Sequence, residues 1–199
     1  MLDSRFGRPG SAVAAALDAL AGMLVRAGVT PNGLSYAALG LGLAAASLFY
    51  AQQHGWAFAV LLGSGLCDAV DGRVARLGGG ATPWGGVLDL TFDRIVEAAV
   101  LLGIALPIPA WHLPALVVAC TWYVNLCVFL AVGAASERRG GKLIAYPPGL
   151  LERSELLLFA LVVVVLPAWA PAAAYAYAAL EVVTAAQRFR FGRRALIER

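Results

Sequence analysis

Six apolar runs dominate the chain, at 34–53, 55–76, 85–106, 113–133, 155–170 and 172–191. Each approaches or reaches the roughly 20 residues a helix needs to cross a bilayer. The first and fourth are uninterrupted, whereas the second and third carry acids. Ahead of them Val13, Leu17, Leu20 and Leu24 recur at helical spacing, which predicts an amphipathic helix within 1–30 lying in the headgroup region, apolar side down. The alternative is a stretch that simply leads into the first span. The ten prolines fall in loops or at helix ends, where a missing N–H costs little. The pattern predicts a single all-α integral membrane domain over 1–199, with a six-helix bundle at 34–191.

Composition agrees, at 61% hydrophobic and 14% charged residues, against about 25% charged in ordinary soluble domains. Threading the six runs through a bilayer puts all 15 Lys and Arg on one side or on the helix ends that face it, and leaves only His54 and His112 in the opposite loops. Cations concentrate in short cytoplasmic loops, so both termini and the loops near 77–84 and 134–153 are expected inside, at the cell's inner membrane. Asp3, Arg5, Arg8, Asp18 and Arg26 break up any apolar core of a cleavable signal peptide. Cys67, Cys120 and Cys127 lie within spans and read as small apolar residues rather than a disulfide framework. Gly40, Ala44 and Ser47 form a small-residue stripe on the first span, read as a helix-packing surface. The bilayer is the partner these features imply; no nucleic acid is expected.

Chemistry concentrates between residues 68 and 93. Asp68, Asp71, Gly72 and Ala75 are three or four apart and share one helix face; Gly85, Asp89 and Asp93 step by four on the next helix. On an antiparallel pair, Asp71 and Asp68 lie roughly 9 and 13 Å above the connecting loop, and Asp89 and Asp93 roughly 7 and 13 Å above it. The four carboxylates are level in pairs and are expected to converge on one pocket near the cytoplasmic surface. Each intramembrane acid costs about 2.5–3.5 kcal/mol on insertion scales, so a compensating partner is expected. Four oxygen donors without a His or Cys set suit a hard cation, Mg2+, Mn2+ or Ca2+, and shared carboxylates permit two ions flanking a phosphorus. The alternatives are an ion or proton path, and internal salt bridges to Arg73, Arg76 or Arg94. Gly72, Ala75 and Gly85 beside the acids favour a bulky ligand pressing on the backbone.

These residues match D-x2-D-G-x2-A-R-x8-G-x3-D-x3-D, eight identities at fixed offsets over 26 residues, and on them the chain resembles the CDP-alcohol phosphotransferase family. Thr30-Pro31-Asn32 ahead of the first span also looks like the family's start of that helix. The resemblance implies that Asp68, Asp71, Asp89 and Asp93 hold Mg2+ or Mn2+, two ions in all, with Ca2+ as inhibitor or substitute. It implies Asp93 as general base on the acceptor hydroxyl. Gly72, Ala75, Arg76 and Gly85, with Asn32 and Thr82, would contact the CDP moiety, and homodimers are usual in the family.

In most bacterial members the donor is CDP-diacylglycerol and the acceptor a small alcohol. Here Arg138, Arg139, Lys142 and Arg153 are the candidates to hold a phosphate on a polyol such as glycerol phosphate or inositol phosphate, or they serve topology alone. Members that use phosphorylated polyols often carry a basic run at the end of the fourth helix, where this chain has Gly133-Ala134-Ala135-Ser136-Glu137. Glu152-Arg153-Ser154-Glu155 resembles an ERxE element of part of the family, whose acids favour a polar or aminated head group. Three readings follow: a phosphatidyltransferase in phospholipid biosynthesis, a transferase moving a soluble CDP-alcohol's group onto a lipid hydroxyl, and a non-catalytic ion carrier.

Overall fold

In the computed structural model, residues 12–78, 80–137 and 153–197 are described, and among them all regular structure is helical. The helices are α1 (Ala12–Arg26), α2 (Pro31–Tyr50), α3 (His54–Leu77), α4 (Pro83–Ala105), α5 (His112–Glu137), α6 (Arg153–Val165) and α7 (Ala170–Ile197). Single 3₁₀ turns at Pro109–Trp111 and Pro167–Trp169 lead into α5 and α7. The six apolar runs correspond to α2–α7. The fifth was expected to continue to residue 170, but α6 stops at Val165, because Pro167 cannot supply the next backbone donor. Two stretches, Pro31–Tyr50 and Pro109–Ala135, are by themselves long and apolar enough to cross a membrane.

Two of these helices begin alike. Thr30-Pro31-Asn32-Gly33 opens α2 and Thr82-Pro83-Trp84-Gly85 opens α4. In each, the Thr hydroxyl accepts from the Gly N–H, at 3.2 and 3.0 Å, and Pro fills the first helical position, where no donor is needed. The α1 end is set by Gly28 at φ 76°, whose N–H donates to Val25 while that of Val29 reaches back to Leu24, the pairing that closes a helix on a left-handed residue.

Part of the apolar side of α1 meets protein. Leu17, Leu20 and Leu24 pack with Ala21 around Val70 and Val74 of α3, a stripe of α3 beside its acids, and Asp18 pairs with Arg73. Val13 alone of the four stays exposed. The helix thus braces the segment that carries Asp68 and Asp71.

The main core joins α2, α3 and α4 to the α5–α7 half through Phe49, Leu61, Val100, Ile104, Val118 and Phe159. The expected packing stripe is corrected here. Gly40, Ala44 and Ser47 face outward, and no described residue lies within 4 Å of a Cβ built on Gly40. The close approach uses the neighbouring face. A Cβ on Gly42 would stand 2.4 Å from Val96, and one on Gly103 would stand 2.3 Å from the Ala46 carbonyl oxygen. The close approach of α2 and α4, backbone against side chain at Gly42 and backbone against backbone at Gly103, therefore uses glycine at both ends of their crossing and holds α4 and its two aspartates against α2.

Candidate active site

Helical spacing delivers the acids as expected, Asp68 and Asp71 from α3, Asp89 and Asp93 from α4. One carboxylate oxygen each from Asp68, Asp71 and Asp89 lies within 4.8 Å of the others. Three carboxylates at this spacing repel one another strongly unless a cation lies among them. The donors are all hard oxygens, the set that a divalent ion of the Mg2+ or Mn2+ type takes. Asp71 is buried, Asp68 half-buried and Asp89 exposed. The Ser35 hydroxyl of α2 donates to Asp71 Oδ2 at 2.6 Å.

The acids stand between two cavities rather than in one pocket. The first, of about 210 Å³, is lined by Asn32, Ser35, Asp71, Gly72, Ala75, Arg76, Thr82, Gly85 and Asp89 among others. All six residues expected at a nucleotide, Asn32, Thr82, Gly72, Ala75, Arg76 and Gly85, meet here. Bare helix faces create the room. Among the described residues, a Cβ on Gly72 would find its nearest neighbour at 3.5 Å, the Arg76 guanidinium, and one on Gly86 would find nothing within 4 Å. The α2 and α4 starts border this cavity, and helix starts favour anions.

The second cavity, of about 350 Å³, runs between α3, α4 and α6 and joins Asp68, Asp89 and Asp93 to Leu61, Gly65, Val96, Leu156 and Leu157. Asp89 lines both cavities, so the acid cluster forms the wall they share. Asp93 lies on the second side.

Arg73 and Arg94, weighed as partners for the motif acids, have other partners: Arg73 pairs with Asp18, and Arg94 with Glu97 at 2.7 Å. Arg138, Arg139 and Lys142 lie outside the described residues, and Arg153 is the first residue of α6.

A further polar region had not been singled out. Arg94, Glu97, Trp122, Asn125, Phe129, Tyr177, Glu181 and Arg188, with Leu90 and Leu126, line a cavity of about 120 Å³ between α4, α5 and α7. Asn125 donates to Glu181 and accepts from Arg188 at 2.8 Å. The Trp122 indole donates to the Tyr177 hydroxyl at 3.3 Å, and Arg188 stacks over Phe129 at 5.1 Å. Glu97 lines both this cavity and the second one. The signal for it was present in the chain, since Glu97 and Glu181 interrupt apolar runs, and intramembrane acids are functional candidates by default. What the sequence lacked was any spacing that linked them.

Comparison with known proteins gives a consistent picture. A family model described as CDP-alcohol phosphatidyltransferase matches residues 28–187. An archaetidylinositol phosphate synthase of Pyrococcus horikoshii is 38% identical over 90 residues, 45% of this chain and 48% of that protein. A phosphatidylinositol phosphate synthase of Corynebacterium glutamicum is 32% identical over 148 residues, 73% of this chain and 67% of that one. The match thus spans about half to two thirds of these relatives' length. Among solved structures, Mycobacterium tuberculosis phosphatidylinositol phosphate synthase with CDP-DAG bound superposes with a TM-score of 0.72 at 27% identity, covering 89% of this chain and 93% of that one. The same enzyme in complex with manganese and citrate gives 0.70 at 29%, covering 88% of each chain.

Proposed function

Because the chain belongs to the CDP-alcohol phosphatidyltransferase family, we propose that it transfers a phosphatidyl group from CDP-diacylglycerol to the hydroxyl of a small polar alcohol and releases CMP. The observation that carries this reading is the shared wall: three clustered carboxylates separate a small-residue cavity suited to a nucleotide from a leucine-lined cavity that holds Asp93. A CDP-linked lipid has that same division, with its polar diphosphate between nucleotide and acyl chains.

The chain's own groups then divide the work. Gly72, Ala75 and Gly85 leave space for the cytidine and its phosphates, Asn32 and Thr82 contribute polar contacts, and Arg76 supplies a permanent guanidinium to the leaving phosphate. Asp68, Asp71 and Asp89, completed by Asp93, would hold Mg2+ or Mn2+, which supplies charge neutralisation at the diphosphate when bound. Asp93 takes the proton from the acceptor hydroxyl. That oxygen forms a bond to the lipid-linked phosphorus, and the bond from this phosphorus to the CMP oxygen breaks.

Names of relatives that make phosphatidylinositol phosphate favour a polyol or polyol phosphate as acceptor. The cavity between α4, α5 and α7 supports the same class. It pairs guanidiniums with carboxylates, and hydroxyl groups both donate and accept. Glu97 connects it to the cavity of Asp93. In this reading Arg138, Arg139, Lys142 and Arg153 hold the acceptor's phosphate at the cytoplasmic face. α2–α7 span the inner membrane with both termini inside, and α1 lies along the surface.

The test is to give purified protein labelled CDP-diacylglycerol with a panel of alcohols, among them inositol phosphate and glycerol phosphate, and to identify the lipid formed. A new phosphatidyl lipid together with CMP is expected. Product from a soluble CDP-alcohol and diacylglycerol alone would reverse donor and acceptor, and an absence of CMP under every condition would overturn the reading.

A further inference from the structure

Ser35 lies outside the aspartate motif, 33 positions before its first residue, yet its hydroxyl reaches the most buried of the clustered acids. Ser35 and Asp71 are each 7% exposed. The hydroxyl has one hydrogen and two acceptors in reach, Asp71 Oδ2 at 2.6 Å and the Pro31 carbonyl at 3.3 Å. The shorter, charge-assisted bond takes it. Asp71 is the buried one of the three acids, so protein contacts orient its carboxylate. One Asp71 oxygen is held by α2, which sets how the carboxylate presents itself to Asp68 and Asp89, with which it lies within 4.8 Å.

We propose that Ser35 is a positioning residue for the divalent metal: its hydroxyl fixes the Asp71 carboxylate in the orientation that binds the ion. Because Ser35 is one turn from Asn32 on α2 and lines the same cavity, the bond also ties the metal ligand to the helix start that borders the nucleotide space. Carboxylate ligands elsewhere depend on such outer contacts, whose loss costs about 10- to 100-fold in metal affinity. The proposal rests on reading the acid cluster as a metal site.

The test is direct Mn2+ binding to purified protein without substrate, followed by electron paramagnetic resonance, alongside thermal unfolding of the metal-free form. Ser35→Ala is expected to weaken Mn2+ binding by about 10-fold or more with metal-free unfolding little changed, and Ser35→Thr, which keeps the hydroxyl, to recover most of it. Where Ser35→Ala fails to fold, Ser35→Cys carries the test, since a thiol of similar size is a weak donor and must show the same loss. Mn2+ affinity equal to that of the unaltered protein in Ser35→Ala or Ser35→Cys overturns the proposal. So does a loss confined to CDP-diacylglycerol binding, which would make Ser35 a direct donor contact, or to unfolding temperature, which would make it structural. An unaltered chain that binds no Mn2+ overturns the metal reading itself, a result distinct from the other three.

Discussion

Two polar regions lie within the apolar helices, and they are built differently. The aspartate cluster comes from two consecutive helices, at spacings of three and four that place its members on one face of each. The Arg94–Glu97–Asn125–Glu181–Arg188 region draws on three helices, α4, α5 and α7, and Asn125 and Glu181 stand 56 positions apart. In the first, three carboxylates gather within 4.8 Å of one another, an arrangement that suits a metal. In the second, guanidiniums and carboxylates already balance, as Arg94 with Glu97 and the Asn125 bridge between Arg188 and Glu181 show. One region is arranged to take up charge and the other to present matched donors and acceptors. That contrast is why we assign metal and diphosphate to the first and a hydroxylated acceptor to the second.

The largest expected break is in the first region. Asp89→Asn removes a ligand common to both cavities, and CMP release is predicted to fall at least about 10²-fold, the scale on which a single positioned charge acts at a phosphoryl centre. Higher Mn2+ should restore part of the rate. Gly72→Val comes next: its added side chain meets open space near Arg76 rather than core, so folding should hold. The KM for the CDP donor should rise roughly 10- to 100-fold, equivalent to about 1.4–2.8 kcal/mol.

The helix crossing behind the acids gives a paired stability test. Gly103→Ala forces a Cβ against the Ala46 backbone, a strain of the kind that costs about 1–3 kcal/mol, and should lower the unfolding temperature by several degrees. Gly40→Ala, on the open face, should be neutral or raise it, because alanine is about 1 kcal/mol the better helix former. Equal effects at both positions would show that the α2–α4 contact is misplaced. The smallest effect falls in the second region. Glu181→Gln keeps the shape and lowers a charged hydrogen bond to a neutral one, a difference of about 1 kcal/mol. The acceptor KM should rise about 5-fold with Mn2+ affinity unchanged. A change in Mn2+ affinity alone would merge the two regions into one site.

Local order explains what the sequence made legible. Asp68, Asp71, Asp89 and Asp93 could be placed on helix faces because helical periodicity is a local rule, and Thr30 and Thr82 mark helix starts by local capping chemistry. Of the residues at the first cavity, Gly72, Ala75, Arg76, Thr82 and Gly85 lie within the span of the motif, and Asn32 in the Thr30-Pro31-Asn32 helix start. Ser35 was not legible in this way, since its partner is Asp71 on another helix and no spacing announces the pair. The outward turn of Gly40, Ala44 and Ser47 was hidden for a related reason: α2 carries a second small-residue face, Ala38, Gly42, Ala45 and Ala46, and only the partner helices decide which is covered. The docking of α1 onto Val70 and Val74 was equally a matter of partners, because an amphipathic stripe suits protein and headgroup alike.

The central claim is that the acid cluster is a metal-dependent transfer site in which Asp93 accepts the acceptor's proton. The most direct measurement is CMP release from CDP-diacylglycerol, with a productive alcohol, by the unaltered protein and by Asp93→Asn, each with and without Mn2+ or Mg2+. The account predicts metal-dependent release by the unaltered protein and a loss of about 10²- to 10⁴-fold in Asp93→Asn, the range for a general base. Release unaffected by chelation, an Asp93→Asn rate equal to that of the unaltered protein, or metal flux across liposomes with no CMP from any alcohol would contradict it.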